Sequence, residues 1–384
     1  MKYLHHFLIL FAASLLLQAC KSESIEDVLT PVEIEECNAA LNGWTISTYP
    51  LPWGGCYDAD FPTDEIGYIV GNQGLIFKTT DGGQNWVIQS QYYSYINGFD
   101  ENAVTKAKLN AVSFVDEMVG FIGGETEKTY STDLPIEVIS ETDAVLLKTN
   151  DGGVTWVKSY LPEASNIYDL HFFDASNGMA LVFYPSGEFG GKKRLMMTDD
   201  GGATWAENVL PFPDFAPHGF YFSGNSVKTK AWDNNREEVL LTSLDNGKTW
   251  QTDSENLPIC SSQGIIYVGE ENGFAYCWNS LAKTTDGGKT WKTLTAPVDE
   301  FHLVHFSSAN DGFIITENNK VTNYGDAIDT ELLSFYVCQT RDGGKNWDFF
   351  SLPKECDYLG SKIGRSNEKF YTLGNSKFNV FEMQ

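Results

Sequence analysis

Six aspartates recur along the chain: Asp81, Asp151, Asp200, Asp245, Asp286 and Asp342. Each has Ser or Thr two residues before it, a glycine two after it and a tryptophan five after it (Trp86, Trp156, Trp205, Trp250, Trp291 and Trp347). Recurrent carboxylates invite an acid–base or cation-binding reading, but their neighbours argue for another use. A carboxylate at the first corner of a turn accepts N–H bonds from the residues that follow, and the glycine supplies positive φ without strain. The tryptophan then opens a new strand with a large apolar face to bury. The octets (TTDGGQNW, TNDGGVTW, TDDGGATW, SLDNGKTW, TTDGGKTW, TRDGGKNW) therefore read as β-hairpin corners whose carboxylates the backbone consumes.

Chemistry must then be sought in other segments. Residues 91–108 carry Tyr92, Tyr93, Tyr95 and Asp100; residues 125–143 carry Tyr130 and Asp133; residues 318–333 carry Tyr324, Asp326 and Asp329. Aromatic rings beside carboxylates suit a protein partner or the stacking of a sugar ring. No acid pair stands out as catalytic, the carboxylates show no EF-hand spacing, and no metal or cofactor is expected. His171 and His305 occupy matching places in two repeats, each seven residues before a glycine, as Asp60 and Ser113 do in two others. Packing between repeats explains that slot better than a metal site.

The elements that position these residues follow from the spacing. The six aspartates lie 70, 49, 45, 41 and 56 residues apart, and the shorter gaps match one four-stranded propeller blade. In the repeat around Asp200 the expected strands are 167–173, 179–184, 194–198 and 205–210, so the octet joins the third strand to the fourth. After Leu352 the segments 358–364, 369–373 and 378–383 supply three further strands. Trp44 to Leu51 (WTISTYPL) matches the fourth strand that follows each octet. The sequence thus predicts an all-β chain folded as a single β-propeller over 43–384. Seven four-stranded blades are expected, the last completed by the N-terminal strand, a clasp that removes the exposed edges a linear array would leave.

The octet resembles the Asp box, or BNR repeat. The fuller unit GYIVGNQGLIFKTTDGGQNW (67–86) resembles blades of propellers like the photosystem II assembly factors, and more distantly those of sortilins and sialidases. That resemblance implies a propeller whose octets lie on one face. The loops joining strand 2 to strand 3, and strand 4 to the next blade, lie on the other. All three segments above, and a fourth at 185–192, fall on that opposite face. Sialidases of this type hold their substrate with three arginines and carry a Phe/Tyr-Arg-Ile-Pro motif. This chain has only Arg194, Arg236, Arg341 and Arg365, with no such motif. Xyloglucanases of the same type form a cleft between two propellers, where one is expected here. The assembly factors use a basic patch that four arginines do not evidently supply.

Composition narrows the partners. A formal charge of −26 at pH 7 excludes nucleic acid and charge-driven docking on anionic lipid. The first residues pair Lys2 with an apolar run too short to span a bilayer, ending in Leu17-Gln18-Ala19-Cys20. This resembles a lipoprotein signal, which implies cleavage after residue 19 and acylation of Cys20. Residues 20–42, rich in Glu and Asp, read as a solvated tether. The expected location is the bacterial cell envelope, at the outer membrane by analogy with sorting rules, with the acyl chains as the sole membrane contact. Six further cysteines suit disulfides in an exported chain. Cys260 and Cys277 are placed to pair across one hairpin. Cys37, Cys56, Cys338 and Cys356 fall where the ring closes, either as a staple or as free buried thiols. Together these features point to a scaffold that holds a protein or glycan, with a glycan-active hydrolase or lyase on the insertion face as the alternative.

Overall fold

The computed structural model describes residues 28–29, 44–50, 55–90, 93–94, 98–99, 103–128, 141–185, 191–211, 219–223, 225–232, 237–254, 264–323, 328–353, 362–365, 369–373 and 377–383. These residues form an all-β propeller in which every strand pairing is antiparallel. In the blade that holds Asp200 the strands are Asn166–Phe172, Gly178–Tyr184, Lys192–Thr198 and Ala206–Glu207, in chain order across the sheet. The Asp151, Asp245, Asp286 and Asp342 blades repeat that order. The closing blade takes Lys362–Arg365, Lys369–Leu373 and Lys377–Met383 from the C-terminal end, and Trp44–Pro50 from the N-terminal end as its outer strand.

The expected seven four-stranded blades require correction, because the described residues form six of them. The sheet that carries Asp81 has five strands. Its four strands Cys56–Asp60, Gly67–Gly71, Ile76–Thr79 and Trp86–Ser90 gain Val28–Leu29, which lies inside the stretch read as tether. Val28 pairs with Val87 and Leu29 with Trp86, capping the outer edge of the sheet. An uncapped edge exposes a row of backbone donors and acceptors that any extended segment can satisfy.

The ring closes through first strands. Cys56–Asp60 packs on Lys108–Phe114, which packs on Asn166–Phe172, and Lys362–Arg365 returns to Cys56–Asp60. Aromatic rings seal several junctions between blades. Tyr68 stacks on Phe114 with centroids 3.8 Å apart, and Phe121 on Phe172 and Phe274 on Phe306 do so at 3.4 Å. Such pairs add about 0.5–1.5 kcal/mol beyond the area they bury. Gly178, which pairs with Phe172, must be glycine, since a Cβ there would stand 2.6 Å from that ring.

The cysteine expectations resolve in part. Cys56 and Cys338 are free, buried thiols, so they staple nothing. Burial raises both thiol pKa values, that of Cys338 to about 12. Cys277 is disulfide-bonded. Its expected partner Cys260 lies outside the described residues, as do Cys37 and Cys356.

Candidate functional site

The octets are built as closed corners. Thr79 donates its hydroxyl to Asp81 Oδ1 at 2.8 Å and accepts the Gly83 N–H at 2.8 Å. Asn85 then donates its backbone N–H to Asp81 Oδ1 at 2.9 Å and its amide to Oδ2 at 2.7 Å. The same bonds recur at Asp151, Asp200, Asp245, Asp286 and Asp342. The turn places Gly82 at φ 66 and Gly83 at φ 86, and Asn246 takes the first position in its octet at φ 59. Bonds from the hydroxyl and N–H of Thr204 bring Asp200 down to about 2, and Thr249 does the same for Asp245. A carboxylate with both oxygens engaged and so low a pKa cannot serve as a general acid near neutrality. Trp86, Trp205, Trp250 and Trp291 each donate Nε1–H to a glycine carbonyl of their own octet.

Opposite this face, the insertions are largely extensions of the blade hairpins. Strands Gly120–Lys128 and Glu141–Thr149 run paired out to Lys128 and Glu141, which leaves 129–140 as the connection. Strands Gly312–Asn323 and Ile328–Thr340 run paired out to Asn323 and Ile328. Residues Tyr93–Ser94 and Gly98–Phe99 form a separate two-stranded ribbon. Of the predicted binding residues, Tyr93 sits on that ribbon and Asp329 on the outer end of the long hairpin, paired with Thr322. Tyr92, Tyr95, Asp100, Tyr130, Asp133, Tyr324 and Asp326 lie outside the described residues, as does Cys20. Among the described residues, no three His, Cys, Asp or Glu side chains come together as a metal site would require.

Polar groups tie one blade to the next, and several of them the sequence did not single out. Asp58 and Asp60 accept the N–H groups of Val112 (2.9 Å) and Phe114 (2.5 Å). One blade on, Ser113 Oγ accepts the N–H of Phe172 at 3.0 Å. Asp169 Oδ2 accepts that of Phe220 at 3.1 Å. His171 holds the slot of Asp60 and Ser113. It leans on the Phe222 ring of the following blade at 4.1 Å, and burial depresses its pKa to about 4. His305 is buried beside Phe313, at 5.3 Å between ring centroids. Lys230 and Glu238 form a buried ion pair at 3.5 Å within the Asp245 blade. The Asp60, Ser113 and His171 slot shows in the spacing of the repeats. The Lys230–Glu238 pair leaves no periodic trace, because the register position of Lys230 is held by Val70, Gly123, Leu181, Tyr276 and Ile315 in other blades.

Comparison with known proteins rests on this architecture. The solved structure of YCF48 bound to D1 peptide matches with a TM-score of 0.60 at 15% identity, covering 93% of this chain and all of that one. YCF48 from Cyanidioschyzon merolae gives 0.58 at 17% identity, over 89% of this chain and 99% of the other. The likeness is one of fold. A GH74 xyloglucanase from Xanthomonas campestris gives 0.53 at 13% identity, and the match spans 87% of this chain but 52% of that enzyme. No protein-family model matches the sequence, and no curated protein does either.

Proposed function

We propose that this chain is a cell-envelope lipoprotein whose propeller serves as a binding or assembly scaffold, anchored by acyl chains on Cys20. Its partner, a protein or a glycan, would engage the insertion-bearing face. The observation that carries this reading is the propeller architecture itself. It is shared along nearly the whole chain with YCF48, a propeller solved with a bound peptide. The octet carboxylates are occupied in building corners, and the paired extensions at 318–323 and 328–333 project recognition surface from a rigid frame. Fold alone does not assign a partner, so the test is functional. Full-length protein and a variant with residues 129–140 replaced by a tight turn are each cross-linked in membranes and purified. The variant is expected to lose the partner; equal recovery from both would sink the reading. Cys20→Ala is expected to abolish incorporation of an alkyne-tagged fatty acid and to release the chain from the membrane fraction.

A second reading, a glycan-active enzyme on the same face, draws on the xyloglucanase likeness. It predicts release of reducing ends from some polysaccharide in a hydrolysis screen, and loss of that release when one insertion-face carboxylate becomes alanine.

A further inference from the structure

On the octet face three blade junctions are strapped alike, while the residue before the octet is Met197, Thr242 and Gln339 in the Asp200, Asp245 and Asp342 blades. Between the Asp81 and Asp151 blades, Lys78 pairs across the sheet with Tyr68, lies over its ring, and donates Nζ–H to Gly152 O at 2.7 Å. Lys148 pairs with Phe121 and reaches Ala175 O at 3.4 Å; Lys283 pairs with Phe274 and reaches Ala309 O at 2.5 Å. In each case a lysine directly before the octet straps one blade to the next, over an aromatic floor. Between the Asp200 and Asp245 blades the equivalent pair is Met179 and Met197. The ring that would stack there, Phe222, is instead 41% exposed and turned to His171.

A cleft of 580 Å³ opens at this junction. Phe173, Met197 and Trp205 line it with apolar surface, Asp174, Asp199 and Glu207 with carboxylates, and Lys248 supplies a cation. Asn208 spans toward the Asp245 octet, donating to Gly247 O at 3.1 Å and Lys248 O at 2.9 Å. Asp174 is already satisfied by the N–H groups of Ser176 and Asn177, and Glu207 meets Arg194 at 2.8 Å. Asp199, exposed at the second octet position, makes no ion pair or side-chain hydrogen bond among the described residues. An apolar wall with an excess of carboxylates at the rim complements a long side chain with an aliphatic stem and a cationic end.

We propose that this cleft takes the lysine or arginine side chain of an extended peptide segment, its stem against Met197 and Trp205 and its charge beside Asp199. The ligand takes the place that Lys78, Lys148 and Lys283 fill at their own junctions. The site is separate from the insertion face, so it stands or falls independently of the scaffold reading.

The test is a saturation-transfer NMR titration of the full chain with the probe acetyl-Ala-Arg-Ala-Lys-Ala-amide and its Gln-for-Arg/Lys analogue. The basic probe is expected to bind at least about tenfold tighter than the neutral one, and less tightly as salt is added. Asp199→Arg should weaken the basic probe by about tenfold. Arg341 occupies that octet position in the Asp342 blade, so the substitution is compatible with the corner. Lys248→Glu should move affinity the other way, which no loss of folding can mimic. No signal from the basic probe, equal binding of the two probes, or affinity unmoved by either substitution would each overturn the proposal. Preference for a neutral oligosaccharide over the basic peptide would overturn it as well.

Discussion

Replacing Asp60 with asparagine should change how stability depends on pH, by an amount that follows from the seam between the Asp81 and Asp151 blades. Asp60 accepts the N–H of Phe61 at 2.9 Å and that of Phe114 at 2.5 Å. Burial nevertheless dominates, and with the neighbouring Asp58 charge it raises the carboxyl pKa from 3.8 to about 6. A raised value means the folded state holds the proton more tightly than the unfolded state does. The contribution is therefore fully favourable below pH 3.8 and is lost as pH rises through 6. At 1.36 kcal/mol per pH unit of offset, the full loss is about 3 kcal/mol. Roughly half of it, about 1.4 kcal/mol, falls between pH 5 and pH 7.5, a window above the isoelectric point near 4.5. Urea unfolding followed by tryptophan fluorescence at those two pH values measures it in wild type and Asp60→Asn. The global effect of net charge is common to both proteins and cancels in the difference. The variant should gain about 1.4 kcal/mol on wild type as pH rises, over a constant offset from altered hydrogen bonding. A difference that stays the same at both pH values would refute the reasoning.

His171 should titrate near pH 4 in the folded protein, read from its ring C–H resonances, because burial disfavours the imidazolium. With the folded value depressed, stability is lost as pH falls from 6.5 through 4. Tyr49, on the N-terminal strand of the closing blade, points its buried hydroxyl at Gly83 O (2.7 Å) and Gln84 O (2.8 Å) in the Asp81 octet. Tyr49→Phe should cost about 1 kcal/mol in urea unfolding. The Gly83 carbonyl keeps its bond from Trp86, which limits the loss.

What the sequence made legible follows from periodicity. The octets repeat because every such blade needs the same corner, so the spacing of Ser or Thr, Asp, Gly and Trp is enough to assign Asp81 through Asp342 to turns. The match of Trp44–Leu51 to the fourth strands likewise identified the closing strand, which pairs from Trp44 to Pro50. Illegible were features that depend on a neighbour met once. Val28–Leu29 is too short to carry a strand pattern, and its place is set by the open edge of Trp86–Ser90. The insertions read as loops because they interrupt the repeat, yet within the segment 125–143 the pairing of the blade continues out to Lys128 and Glu141. Lys78, Lys148 and Lys283 stand plainly in front of their octets, but their strapping role needs the next blade in view.

The closing blade also sets the order in which the molecule can be completed. Trp44 pairs with Met383, so the first long strand to be synthesised finds its partner last. Every other four-stranded blade is assembled from consecutive strands of the chain and can form as it emerges. Pairing across so long a loop carries an entropic cost that only a finished array can repay. A chain cut short before Lys377 would present two open sheet edges at once, the arrangement most exposed to aggregation and proteolysis. The ring thus acts as its own proofreader, since the closing blade is complete only when Lys377–Met383 has joined Lys369–Leu373 to Trp44–Pro50.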